Sequence, residues 1–383
     1  ALRVPPCSWT VLSSLGENEL FGILLVSIHR LKHRGRLRAA PVPFERPPLT
    51  AGSAMSTLLL SRQDIERVIS MKDVVEAVEN TFRGMGEGTV VNPTKAALDL
   101  GESAPWPSYK GFMNAMPAYV GWLDTAGLKW VGGFRDNLVL GLPFITAMTL
   151  LIDPRTGRFL AVMDGALITN LRTGAQAAVP LKWLHAGPRI RIGLYGAGAQ
   201  ARTATRAIAE LFEIARLTIY DVRREAALQF SRELASVVQG RIVVADSPEQ
   251  AAESDAIVCA TTSREKFLKD AWIRPGMTVL PLGSYQECED AFLLAVDKIL
   301  VDHVEQCLHR GALRDVHAAG KITERHIHAT IGEMVAGKKP GRTSPTERIL
   351  CVPLGTGATD IAVATVAYRR ALERGLGQSF AFA

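Results

Sequence analysis

Ile190-Arg191-Ile192-Gly193-Leu194-Tyr195-Gly196-Ala197-Gly198-Ala199-Gln200-Ala201 lies at the middle of this 383-residue chain and sets its class. An apolar run leads into a G-x-G-x-x-A element, and a helix-compatible stretch over residues 201–211 leads out. Strand, glycine turn and helix in that order open a doubly wound nucleotide-binding sheet. Gly196 permits the tight turn, Gly198 lets the backbone approach a pyrophosphate, and Ala201 is small enough for close helix–strand packing. Ala199 and Gln200 complete the turn, and the helix N-terminus behind it offers unpaired N–H groups and a partial positive charge to phosphates. Asp221 follows 25 residues after Gly196, at the end of the second strand. A carboxylate there hydrogen-bonds the adenosine ribose and repels a 2′-phosphate, so NAD is favoured over NADP. Arg223 and Arg224 pull the other way, because an arginine just past this strand can receive a 2′-phosphate.

Outward from that turn, strand-like runs fall at residues 190–195, 217–221, 242–245, 256–260, 277–282 and 298–302, with helical segments between most of them. This alternation predicts a parallel sheet with helices on both faces. Upstream the texture differs. Ser61-Arg62-Gln63-Asp64 resembles a capping box without its usual Glu, and a helix over residues 71–85 places Val74, Val75, Val78 and Phe82 on one face before Gly84, Gly86 and Gly88. Strands follow at 94–100, 111–117, 127–134 and 144–152, the last ending in the turn Asp153-Pro154-Arg155-Thr156-Gly157. Helices followed by consecutive strands predict an α+β domain with a mostly antiparallel sheet. Beyond residue 302 the chain reads as helical again, and a closing helix over 361–375, with Gly375 near its C-cap, returns to the first domain. The predicted architecture is α/β. A Rossmann doubly wound parallel-sheet domain spans residues 173–320, and an α+β domain is formed by both ends of the body, residues 55–172 and 321–383.

The formal charge is +6, and its location matters. Residues 1–54 hold seven Lys/Arg against three Glu, a net +4 that leaves only +2 for the other 329 residues. The body therefore offers no electrostatic case for nucleic acid. The apolar stretch 20–28 is far shorter than the ~20 residues that span a bilayer, and its basic run follows rather than precedes it, so neither a membrane span nor a secretory signal is indicated. With its Pro- and Arg-biased composition, 1–54 reads as a disordered extension. Five scattered cysteines without a C-x-x-C fit free thiols in a reducing cytoplasm. Cys307-x-His309 and His326-x-His328 lack further ligands at zinc spacing, so no metal is expected. Cys259 precedes Ala260-Thr261-Thr262-Ser263 where a nicotinamide would lie, with Thr261 and Thr262 as candidate cofactor contacts.

Met116-Pro117-Ala118, Gly127-Leu128-Lys129-Trp130-Val131, Asn137, Gly141-Leu142-Pro143, Asp153 to Gly157, Ala161-Val162-Met163-Asp164-Gly165 and Thr169-Asn170-Leu171-Arg172-Thr173 occur in that order. With the later Gly355-Thr356-Gly357-Ala358-Thr359-Asp360, they resemble the ornithine cyclodeaminase/mu-crystallin family over most of residues 55–377. The resemblance implies a dinucleotide cofactor and a homodimer formed through the non-Rossmann domain, which also carries the substrate. It further implies that Lys129 is the active-site lysine, that Arg172 binds the substrate carboxylate and that Thr173 lies near the cofactor phosphates. Physically, arginine holds an α-carboxylate bidentately, and burial in an apolar strand lowers a lysine toward proton transfer near neutrality.

Two departures from the family pattern bear on the reaction. An arginine that usually follows a proline near the start of the sheet is Lys95 in Pro93-Thr94-Lys95, which keeps the charge but loses the fork. The aspartate that cyclodeaminases carry in Gly-Gly-Asp or Gly-Ser-Asp is replaced in Gly283-Ser284-Tyr285, leaving Glu287 or Glu289 as substitutes only after a loop shift. Reduction of a preformed imine needs one hydride and one proton and tolerates that loss better than deamination with cyclisation. The expectation is an NAD-dependent reductase or dehydrogenase acting on an α-imino or α-amino acid, of the imine-reductase or alanine-dehydrogenase kind. A redox-neutral cyclodeaminase and a non-catalytic binder of a dinucleotide and a small ligand are the alternatives.

Overall fold

The computed structural model describes residues 56–103 and 105–382; the extension read over residues 1–54 lies outside them. The chain runs through β1 (Ser56–Leu60), α1 (Arg62–Val68), α2 (Met71–Glu87), β2 (Val90–Val91), β3 (Ala96–Leu100), β4 (Gly111–Val120), β5 (Thr125–Phe134), β6 (Ile145–Ile152), β7 (Phe159–Asp164) and α3 (Gly165–Ala178). It continues with β8 (Arg189–Tyr195), α4 (Ala199–Ala209), β9 (Glu213–Tyr220), α5 (Arg224–Leu234), β10 (Arg241–Val244), β11 (Ala256–Cys259) and β12 (Thr278–Pro281). Last come α6 (Asp290–Ala295), β13 (Lys298–Val301), α7 (Val304–His309), β14 (Ile327–Thr330), α8 (Ile331–Val335), β15 (Ile349–Val352), α9 (Gly357–Glu373) and β16 (Gln378–Ala381). Both early helices start on reciprocal capping boxes, Ser61 with Asp64 and Ser70 with Asp73, so aspartate fills the place usually held by Glu.

The strands form two eight-stranded sheets. The first has the order β16-β1-β7-β6-β5-β4-β2, with β3 also on β4. It is antiparallel except where β1 runs parallel to β7, as the helix-then-strands pattern predicts. On one face α9 packs against β4, β5 and β6, and against α2 and α3. A Cβ on Gly357, at the start of α9, would lie 2.6 Å from the Met116 carbonyl oxygen, so only glycine lets the helix N-terminus come this close to β4.

The second sheet is parallel throughout, in the order β10-β9-β8-β11-β12-β15-β13-β14. The chain winds one way from β8 to β10 and the other way from β11. The switch point thus falls between β8 and β11, where the carboxyl ends of the strands leave a crevice for a nucleotide. All six runs read as strands in this region form strands of the sheet. Its extent corrects the sequence reading, which closed the parallel sheet at residue 320. β14 joins its edge, and β15 is inserted between β12 and β13. Ile349-Leu350-Cys351-Val352 is wholly buried and only four residues long, too short for alternation to separate strand from helix.

Candidate active site

Gly196 closes β8 with φ +88, and a Cβ there would lie 2.6 Å from the Ala260 carbonyl oxygen at the end of β11. The turn therefore needs glycine both for its backbone angle and for this approach. No side chain caps α4 at Gly198, and a Cβ at Gly198 would meet nothing within 4 Å. The end of α4 at Ala199 and Gln200 is thus uncapped with open space beside Gly198, while Ala201 is wholly buried. Asp221, just past β9, accepts the Ala197 N–H at 2.8 Å and the Arg223 N–H at 2.8 Å, which fixes its carboxylate beside the turn. Arg224 is drawn away to Asp246 at 2.6 Å, and Arg223 stands exposed. A dinucleotide fits this arrangement: an uncapped helix end for its phosphates, open space above the turn, and an acid at the ribose position.

α3 links this turn to a second site. Its Asn170 accepts a hydrogen bond from Gln200 at 3.1 Å, its Thr173 is buried against the Thr169 carbonyl at 2.7 Å, and its Arg172 points into a buried ion cluster. There the Arg172 Nε donates to Asp360 Oδ1 at 2.9 Å and Nη1 to Gln176 at 2.5 Å, leaving Nη2 unclaimed among the described residues. Lys129, on the covered face of β5, reaches the other Asp360 oxygen at 2.7 Å. Lys129 is 1% exposed and Asp360 is completely buried in the first turn of α9, where the helix end favours a carboxylate. Burial, then repulsion by Arg172, pushes the Lys129 ammonium down to about 7 against the attraction of Asp360.

Lys95, just before β3, is half-buried and makes no ion pair at contact distance among the described residues. Burial and the nearby Arg310 pull it down to about 8, while Asp302 pulls up. Asp302 is itself buried. It accepts the Gly355 N–H at 2.5 Å and the Cys307 thiol at 3.2 Å, and burial raises its carboxyl above the usual range. Arg310, at the end of α7, bonds the Asn114 amide oxygen on β4 at 3.2 Å.

Thr261 donates a short hydrogen bond to Glu287 Oε1 and takes the Ser263 N–H at 3.0 Å; Thr262 is exposed. Glu287 is completely buried, which raises its carboxyl to about 7, and Glu289 accepts the Asp270 N–H at 3.0 Å at the start of α6. Neither occupies the place of Tyr285. The tyrosine hydroxyl donates to Glu102 at 2.6 Å and accepts from Arg135 at 3.0 Å and Arg264 at 3.1 Å. Arg135 above all holds the Glu102 carboxyl below its ordinary range. Elsewhere, the His326 ring accepts the Thr323 N–H at 3.0 Å, His328 faces the Pro340 carbonyl at 3.0 Å, and Cys259 is fully buried.

A family model described as ornithine cyclodeaminase/mu-crystallin matches residues 55–375. The chain belongs to that family. It is 35% identical to the alanine dehydrogenase of Archaeoglobus fulgidus over 337 residues, covering 86% of this chain and 99% of the relative. Among solved structures, an archaeal alanine dehydrogenase dimer with bound NAD superimposes with a TM-score of 0.80 at 34% identity, covering 86% of this chain and all of the other. The Thermococcus litoralis Δ1-pyrroline-2-carboxylate reductase, in complex with NADH and L-proline, gives a TM-score of 0.79 at 34% identity, covering 84% and 99%.

Within this member of the ornithine cyclodeaminase/mu-crystallin family, the structure brings Lys129 and Arg172 onto one carboxylate and puts Lys95 within electrostatic reach of both. It gathers Gly196, Ala197, Asp221 and Arg223 at the glycine turn, and Thr261 close to it at the switch point. Sequence reasoning missed Asp360, Arg310, Asn114 and Glu102 as members of the site. Asp360 had a signal, as the acid ending Gly355-Thr356-Gly357-Ala358-Thr359-Asp360 at a helix start; the other three stand alone in unremarkable surroundings.

Proposed function

We propose that the protein is an NAD-dependent oxidoreductase that interconverts an α-imino acid and the corresponding α-amino acid. The observation that carries this reading is α3, one helix that touches the dinucleotide turn through Asn170 and the buried cation cluster through Arg172. A dinucleotide held at the Gly196–Ala201 turn would supply the hydride-transfer chemistry at the substrate α-carbon. Arg172 and Lys95 hold the α-carboxylate, Arg172 through its unclaimed Nη2. Lys129, held near neutrality, donates a proton to the imine nitrogen during reduction and removes it during oxidation. Asp360 is a positioning residue that fixes Lys129 and Arg172 relative to one another. The family likeness to alanine dehydrogenase and to an imino-acid reductase supports the same reading. Incubation with NADH and a panel of α-imino acids, formed from α-keto acids and ammonia, should show stoichiometric NADH oxidation. Proline and ammonia formed from ornithine with only catalytic NAD would assign a cyclodeaminase instead.

Asp221 selects the cofactor in this reading, with Thr173, Thr261 and the helix end at Ala199–Gln200 around it. NADH should bind at least tenfold more tightly than NADPH, about 1.4 kcal/mol, because the fixed carboxylate repels a 2′-phosphate. Equal affinities by fluorescence titration would mean that exposed Arg223 decides.

The chain pairs with a second copy in our reading, through the uncovered face of the first sheet. Trp130 and Met148 form a cross-strand pair there, both more than half exposed, with exposed Leu98 on the same face. The NAD-bound dimer among the structural neighbours supports this, and a monomer in sedimentation equilibrium would refute it. A reducing, cytoplasmic location fits four buried free cysteines, and no helix among the described residues is long and apolar enough to cross a membrane.

A further inference from the structure

The α-carboxylate of a substrate accounts for Arg172 and Lys95 but not for Arg310. Its guanidinium is partly buried, bonds the neutral Asn114 amide, and has no carboxylate at ion-pair distance among the described residues. A guanidinium removed from water with no counter-charge is costly to keep. Two contacts fix its place. The Gly311 N–H donates to the Ser284 carbonyl at 3.2 Å, pinning this end of α7 beside the Gly283-Ser284-Tyr285 loop. Asn114 lies on the same face of the first sheet as Lys129, since Asn114 pairs with Val131 and Met116 with Lys129 in register. Residues two apart on a strand are about 7 Å apart, so Asn114 stands one pleat repeat along β4 from Met116, the residue paired with Lys129. The charge balance agrees. Among the described residues Lys129 and Arg172 meet Asp360, Lys95 is drawn to Asp302, which is itself turned to the Gly355 N–H and the Cys307 thiol, and Arg310 pairs with neither acid.

We propose that Arg310, steadied by Asn114, binds a second carboxylate of the substrate, so that the enzyme's substrates are short α-imino and α-amino dicarboxylic acids. This rests on the reading of the site as an α-imino acid oxidoreductase. The second carboxylate takes no part in the chemistry. The α-carbon gains one hydride and the nitrogen one proton, as for a monoacid, while Arg310 orients the chain and excludes substrates whose far end is apolar.

The test compares oxaloacetate with pyruvate, each with ammonia and NADH, on the full chain and on Arg310→Gln. It also compares L-aspartate with L-alanine by calorimetry on the NAD-loaded protein. The wild type should favour oxaloacetate in kcat/KM and L-aspartate in affinity. In Arg310→Gln both selectivities should fall roughly 10–100-fold, as expected for loss of a charge-assisted bond, with partial recovery in Arg310→Lys. NADH-dependent turnover of pyruvate that equals or exceeds that of oxaloacetate would overturn the diacid inference and leave the oxidoreductase reading standing. If no imino acid is turned over, the oxidoreductase reading fails. The calorimetry then decides the diacid site alone: aspartate binding that depends on Arg310 supports it, and equal binding of both amino acids sinks it.

Discussion

Lys129→Ala is expected to lower kcat for imine reduction by roughly 10²–10⁴-fold, the contribution of a well-placed proton donor. Binding of NADH should be unchanged, because the glycine turn and Asp221 make no contact with this lysine. The pH dependence gives the effect a sign. Burial and Arg172 hold the Lys129 ammonium at about 7, so the protonated form is lost as the pH rises through that value. Reduction, which needs the donor, should slow above about pH 7. Oxidation of the amino acid, which needs the neutral amine, should quicken over the same interval. Lys129→Ala should abolish both limbs. A variant with kcat within threefold of the wild type, measured with saturating substrate, would remove Lys129 from the chemistry.

Asp360→Asn is expected to have the largest effect on stability. It keeps the shape but strips the one carboxylate that both Lys129 and Arg172 touch, leaving two buried cations without a counter-charge. Breaking a buried pair from one side costs about 3–5 kcal/mol. The deficit should shrink as the pH rises. Asp360 raises the Lys129 pKa to its folded value of about 7, so the carboxylate's hold on the ammonium is present below that pH and is lost as the pH rises through it. Chemical denaturation at about pH 6 and pH 9 would show a smaller gap between variant and wild type at the higher pH. A variant as stable as the wild type at both would mean that solvent reaches the cluster.

The glycine turn was legible because its physics is local. Gly196 needs its left-handed backbone angle, Ala201 is wholly buried within the same strand–turn–helix unit, and Asp221 lies at the end of the next strand. The parallel strands from β8 to β13 were readable for the same reason, since each is an apolar run bounded by turns. β15 was not, because it falls beyond residue 302 in the stretch read as helical and its partners β12 and β13 are set by the whole sheet. Lys129 and Arg172 were found through their motifs, whereas the acid joining them lies 231 residues beyond the lysine, and no spacing rule reaches that far. Arg310 and Asn114 meet across 196 residues and are ordinary in their own neighbourhoods. Tyr285 shows the converse case. Its sequence position announced a missing carboxylate, yet Glu102, from the other sheet's side of the cleft, supplies one to its hydroxyl, held ionised by Arg135 rather than poised to carry a proton.

β1 is among the first described strands to leave the ribosome and β16 is the last, yet they pair with one another, Ser56 against Ala381. The parallel sheet likewise stays open until β15 is inserted between strands made some fifty and seventy residues earlier. Neither sheet is therefore complete until its latest-made strand has emerged, and contacts of such long sequence separation form slowly. Until then β12, β13 and the covered face of β5 present bare apolar surface, the kind that chaperones recognise. The same late arrival of α9 brings Asp360 to Lys129, so a nascent chain cut short before residue 360 gains neither a finished core nor the counter-charge of this lysine.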